Sequence, residues 1–317
     1  MKTLKALLAV VLTLILCAAC AVAETGDEFP FDLVTYQDSV VTFTHVPEKV
    51  IAANACTGDE LMAMGLEDVI IGKAYTNSPI NPEYQEAYDK IPVVADTYMS
   101  LETILSWEPD FVYGRSSHFS EKNGTQHDTL SGYGIMSLSD VESYKLGADV
   151  EDVYQDFENL GRIFQKQERA EEIINDMKTR IAAVEEAVAG KDIARVFVFD
   201  MQTEDGPYTC GNNFTSQLIK HAGGENIFSD LDTTWATVSW EDVIDRNPDV
   251  IIINDYGDTS LEEKIAQLKE NPALATIAAI QNDNIISVHL VEVFASSQAA
   301  ATIEKMAHAC HPDCFED

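Results

Sequence analysis

Ser100-Leu101-Glu102-Thr103-Ile104, running on to Pro109-Asp110-Phe111-Val112, is matched 139 residues later by Ser239-Trp240-Glu241-Asp242-Val243, running on to Pro248-Asp249-Val250-Ile251. Each copy opens with a Ser suited to cap a helix and places a Glu in the first turn, where the helix dipole favours negative charge. Each then turns through Pro-Asp into an apolar strand. Four coincident polar positions at one offset, with the apolar positions between them aligned, mark an internal repeat. That repeat predicts two similar lobes, each with a helix feeding a strand.

Around the two copies, short apolar runs alternate with helical stretches, the pattern of an α/β fold with mostly parallel sheets. In the first half, 50–53 reads as a strand. Thr57-Gly58-Asp59-Glu60 reads as a capping box opening a helix that Gly65 stops, and 69–71 as the next strand. A helix over 101–107 leads to a strand over 110–113, and Gly134-Ile135-Met136 completes the lobe. Over 167–189, Ala170, Ile173, Ile174, Met177, Ile181, Val184 and Val188 recur three or four residues apart, which predicts one long helix ended by Gly190. It has no internal Gly or Pro and reads as a stiff spacer between the lobes. The second half repeats the theme, with strands at 195–199, 250–253 and 284–288 and helices near 216–221, 239–245, 261–270 and 297–309. Residues 200–213 read as a loop. The expected boundaries are an N-terminal extension at 24–45, a first lobe at 46–148, a helical linker region at 149–190 and a second lobe at 191–317.

Lys2 and Lys5 followed by an apolar run to Ala19 read as a signal peptide over 1–23. Two processing sites compete. Ala21-Val22-Ala23 suits ordinary cleavage before Glu24, whereas Ala18-Ala19-Cys20 suits a lipoprotein box that would leave Cys20 acylated. No later run suits a transmembrane helix. Removal of residues 1–23 takes two lysines and moves the formal charge from −34 to −36, a field that repels nucleic acid and anionic headgroups. The chain is therefore expected outside the cytoplasm, as a monomer with no nucleic-acid partner and no membrane contact beyond an N-terminal lipid. Cys56, Cys210, Cys310 and Cys314 remain. In an oxidising compartment Cys310 and Cys314 suit a small disulfide staple, with zinc the alternative around His311.

The motifs of the common hydrolases, phosphate-binding loops and dinucleotide sites are absent, and His-Glu-x-x-His does not occur. The seven histidines are scattered. A metal site joining His118 and His289 from opposite lobes is a second metal constellation, besides zinc around His311.

At this point the residues resemble the helical-linker class of substrate-binding proteins of ABC importers, which serve iron-siderophore, haem and vitamin B12 uptake. The resemblance runs from about Val46 to His311. It is carried by Pro47-Glu48-Lys49-Val50-Ile51, the two Ser-x-Glu to Pro-Asp segments, and Ala222-Gly223-Gly224-Glu225-Asn226. It implies two Rossmann-like lobes joined by one long helix, modest lobe motion, no catalytic residues and no resident cofactor. It implies a metal chelate as ligand, a ferric siderophore first, then haem or cobalamin, and a permease dimer with its ATPase as partner. Glu102 and Glu241 are then the residues that meet arginines of the permease. A carboxylate at a helix start is stabilised by the dipole yet free to accept bidentate arginine bonds.

Open α/β sheets bind ligands beyond the C-terminal ends of their strands. That places candidate contacts at Asn54, Cys56, Tyr75, Arg115 and Ser116 in the first lobe, and at Tyr208, Asn213, Trp235, Tyr256 and Phe294 in the second. Arg115 is the candidate to neutralise an anionic chelate, the aromatic side chains to lie on its flat faces, and Cys56 or Cys210 to act as a thiolate ligand. Two other functions fit the same plan: a surface scavenger of haem or metal ions acting without a permease, and a chelatase-like enzyme.

Overall fold

The computed structural model describes residues 28–315, so the expected leader and Cys20 lie outside the described residues. The chain opens with an antiparallel hairpin, β1 (Phe31–Val34) and β2 (Val40–Phe43). Leu33, Val41 and Phe43 are buried, and Phe43 meets Phe111 edge-on. The extension is thus packed onto the first lobe.

The first lobe is built on β3 (Val50–Ala52), β4 (Ile70–Ala74), β5 (Val93–Ala95), β6 (Phe111–Gly114) and β7 (Met136–Ser139), all parallel, in the order β5-β4-β3-β6-β7. Its helices are α1 (Ala55–Ala63), α2 (Pro82–Asp89), α3 (Leu101–Trp107) and α4 (His127–Gly132). The reading of Thr57-Gly58-Asp59-Glu60 as a capping box is corrected. All four residues are buried inside α1, which starts after Asn54. Thr57 Oγ1 donates to the carbonyls of Asn54 (3.1 Å) and Tyr113 (3.2 Å), and Gly58 stays bare because a Cβ there would strike the Tyr88 ring. Gly65, at φ +64°, does end the helix region.

Between the sheets lie two helices, α5 (Val150–Phe164) and α6 (Gln167–Val188), separated by Gln165 at positive φ. The long helix buries Ala170, Ile174, Met177, Ile181, Val184 and Val188 as its periodicity predicts. It packs on α5 and on the closing helix, to which Arg180 adds a forked ion pair with Glu304 (2.8 and 2.7 Å).

The second lobe has a parallel sheet of β8 (Ala194–Phe199), β11 (Gly224–Asn226), β13 (Val250–Asp255) and β14 (Ile285–His289), in the order β11-β8-β13-β14. The stretch expected as a loop instead forms β9 (Met201–Thr203) and β10 (Gly206–Cys210). With β12 (Trp235–Thr237) they make an antiparallel sheet. The helices are α7 (Phe214–His221), α8 (Trp240–Arg246), α9 (Leu261–Lys269), α10 (Ala278–Gln281) and α11 (Ala299–Cys310). One continuous apolar core runs from the hairpin along α5 and α6 to α11, so it serves both lobes; smaller clusters lie within each.

The repeat is three-dimensional as well as textual. Ser100 Oγ accepts the Thr103 amide (3.1 Å) and Ser239 Oγ accepts the Asp242 amide (3.0 Å). Both helices end on a left-handed residue, Glu108 and Asn247. Asp110 then accepts the amides of Glu48 and Lys49 (2.8 and 2.9 Å), and Asp249 accepts that of Arg195 (2.9 Å). Each Pro-Asp corner therefore ties the incoming helix to the start of the neighbouring strand.

Candidate functional site

The C-terminal ends of the strands of both lobes converge on a cleft of about 240 Å³. Asn54, Tyr75, Asn77, Tyr98, Arg115 and Ser117 line it from the first lobe, and Asp200, Tyr208, Trp235, Tyr256, Leu290 and Phe294 from the second. Seven of the ten residues expected from strand-end reasoning meet there: Asn54, Tyr75, Arg115, Tyr208, Trp235, Tyr256 and Phe294.

The other three are placed elsewhere. Cys56 is buried behind the cleft floor and lines only a small recess of about 30 Å³. Asn213 is buried as the cap of α7, its Oδ1 accepting the Ser216 amide at 3.2 Å. Ser116 is turned inward, donating to the Ser143 carbonyl (2.9 Å), while Ser117 takes the exposed position. The thiolate idea is corrected too. Burial pushes the Cys56 thiol well above its ordinary range and that of Cys210 up to about 12. All four described cysteines are free thiols, Cys310 and Cys314 included. His118 and His289 have separate partners. His118 is buried with Nε2 accepting the Met99 amide, and His289 faces Asp255. Among the described residues no cluster of His, Cys, Asp and Glu suits a metal ion.

The cleft has two aromatic walls. From the first lobe, Tyr75 and Tyr98 stack with centroids 5.0 Å apart; from the second, Tyr208 and Trp235 stack at 5.8 Å. Tyr75 sits at φ +47°, a conformation costing a bulky residue about 1 kcal/mol or more, and this is where its ring joins the wall. Tyr98 follows β5 in an irregular segment, so no strand signal pointed to it. Tyr256 donates its hydroxyl to Asp200 (2.7 Å), whose other oxygen accepts Asn254 Nδ2 (2.7 Å). Beneath them the buried Lys264 ammonium donates to the carbonyls of Asp200 (2.8 Å) and Asn254 (2.6 Å), joining the ends of β8 and β13.

Arg115 is not the free cation that its position suggested. Its guanidinium pairs with Glu142, lies 3.4 Å from Asp140, and stacks 3.8 Å over the Phe294 ring. Behind it Asp140, Glu60 and Asp156 are fully buried. Tyr113 donates to Glu60 at 2.5 Å, and Asp156 accepts the Val141 amide. Burial, reinforced by mutual repulsion, raises Glu60 and Asp156 well above the usual carboxylate range. Burial also raises Asp140 to about 7, against the pull of Arg115.

A pH dependence of stability follows. A carboxyl group whose folded-state pKa is raised contributes stability below its unfolded value and loses it as pH rises through the folded value. His221, raised by its hydrogen bond to Asp149, acts with the same sign, while burial lowers His118 and His127 to about 4, so they oppose it only below their unfolded pKa. Between about pH 6.5 and pH 8.5 Asp140 and His221 therefore act in one direction, Asp140 alone contributing on the order of 1 kcal/mol. The expected melting temperature falls by about 2–4 °C per kcal/mol over that interval, and Asp140→Asn flattens the slope. A melting temperature that rises with pH there contradicts the raised pKa of the buried Asp140.

Residues 50–290 match the family model described as periplasmic binding protein. The chain is 29% identical to a solved periplasmic binding protein from Veillonella parvula, with a TM-score of 0.81 over 89% of this chain and 97% of that one. It is 24% identical, at a TM-score of 0.73, to a solved chain of an ABC-type Fe3+-hydroxamate transport system from Saccharomonospora viridis, covering 89% of this chain and 99% of that one. Among curated relatives it is 23% identical over 288 residues to the cobalamin-binding protein of Halobacterium salinarum, covering 90% of this chain and 74% of that one.

Proposed function

The chain belongs to the periplasmic binding protein family and is an extracytoplasmic binding protein rather than an enzyme, and on that premise we propose that it carries a metal chelate from the inter-lobe cleft to an ABC permease. The observation that carries this reading is the pair of stacked aromatic walls, one from each lobe, facing the same cleft. Flat rings with polar rims suit a macrocycle or chelate better than an ion, which would need converging acids or imidazoles. A corrinoid moves ahead of the ferric siderophore favoured by the sequence alone. The aromatic walls support it, and so does the cobalamin-binding relative. At about 240 Å³ the cleft encloses part of such a ligand, whose remainder protrudes unless the lobes part. Delivery to a permease, rather than scavenging without one, is supported by the two exposed glutamates at matching helix starts. If Cys20 is acylated, the protein works from a membrane anchor.

Calorimetric titration with cyanocobalamin, haemin and a ferric trihydroxamate tests the cargo. The expected result is binding of at least one, cyanocobalamin most tightly. Trp235→Ala should weaken it about tenfold or more, the size expected for losing one stacked aromatic wall. Binding of none, or binding insensitive to Trp235, rejects the aromatic-cleft reading.

A further inference from the structure

Among the described residues lining the cleft, Arg115 is the only cation. Its charge is answered on the protein side by two carboxylates, Glu142 in direct contact and Asp140 at 3.4 Å, while its flat face is covered by Phe294. Glu142 does not line the cleft; it stands behind the guanidinium and also accepts from Arg115 Nη2 at 3.5 Å. Across the cleft Asp200 adds a carboxylate whose oxygens accept from Asn254 and Tyr256, above the Lys264 ammonium that donates to the carbonyls of Asp200 and Asn254. The local balance is not positive, and the chain as a whole carries a formal charge of −34. A concave, low-dielectric site focuses such a field on whatever enters it.

We infer that this cleft selects its chelate by charge, admitting uncharged or cationic chelates and rejecting polyanionic ones, with Glu142 setting that preference through Arg115. The inference rests on the carrier reading above and narrows its cargo. A chelate bearing carboxylates or catecholate charge approaches a guanidinium whose charge is already answered by Glu142 and Asp140, and like charges placed opposite one another disfavour the wrong partner. An uncharged macrocycle keeps the aromatic contacts without that repulsion.

The test uses ligand pairs of similar shape and different charge, titrated calorimetrically into the purified protein: cyanocobalamin against its peripheral tricarboxylic acid, haemin dimethyl ester against haemin, and a ferric trihydroxamate against a ferric tricatecholate. Within any pair that binds, the less negative member is expected to bind about tenfold or more tightly, the size of one unit charge roughly 10 Å away at an effective dielectric near ~20. Glu142→Gln should shrink that ratio by a similar factor. In the unaltered protein, raising the salt concentration should also shrink it, because screening weakens repulsion; this second readout does not depend on the variant folding. Equal or tighter binding of the anionic member, or a ratio unmoved by both salt and Glu142→Gln, overturns charge selection and leaves the carrier reading standing. Failure of every chelate to bind removes both.

Discussion

Replacing Glu102 and Glu241 together by Ala is expected to cut uptake at sub-saturating ligand by up to roughly 30-fold, since two exposed ion pairs together contribute at most about 2 kcal/mol. The cleft should still bind its ligand. Both carboxylates are exposed, each in the first turn of a capped helix, and neither is paired with another side chain among the described residues. Contacts of this strength suit a carrier that must leave the transporter after delivery. Each single substitution should give an intermediate loss. Uptake unchanged in the double variant, measured with labelled ligand in cells expressing the cognate importer, would remove the docking assignment. Lost ligand affinity would instead show that the helices shape the cleft.

Asp59→Ala is expected to destabilise the protein by about 3 kcal/mol, the range for stranding the partners of a buried charged acceptor. Asp59 is fully buried in the first lobe. One oxygen accepts the Ser297 amide at the head of the closing segment of the second lobe, and the other accepts the Asn81 amide, both at 2.8 Å. Burial raises its pKa against those bonds. Removing the carboxylate strands two amides and opens a seam between the lobes beside the cleft. Asp59→Asn retains one acceptor and should lose about half as much. Denaturant titration measures both, with a lower midpoint at an unchanged slope as the expected signature. A midpoint equal to that of the unaltered chain would mean that water replaces the carboxylate without cost.

The paired helices and the long spacer were legible in the sequence because their signals are local. A Ser cap whose hydroxyl accepts the amide three residues on, a Pro-Asp corner and a run of apolar residues on one helical face each declare themselves within a single element. The capping box misread at Thr57 shows the limit of that logic. Thr57 has the right neighbours for a cap, but its hydroxyl is used by the Tyr113 carbonyl 56 residues away. The β9-β10-β12 sheet was hidden for a similar reason, since short strands pair with a partner some 25 residues on and contain Gly206 and Pro207. In the site, strand ends located Tyr75 and Tyr256, because topology alone carries them to the cleft, whereas Tyr208 and Trp235 reach it on the antiparallel β10 and β12. Strand ends could not locate Tyr98, nor show that Glu142, 27 residues beyond Arg115, neutralises it.

The Pro-Asp corners have a mechanical consequence. Because Asp110 and Asp249 tie the corners after α3 and α8 to the strands beside them, each helix is anchored at its C-terminal end to its own sheet. Glu102 and Glu241 therefore behave as two fixed pins on two solid plates, and their separation is a gauge of the angle between the plates. On the docking reading proposed above, a transporter holding both pins would meet the lobes at whatever angle they stand, without touching the cargo.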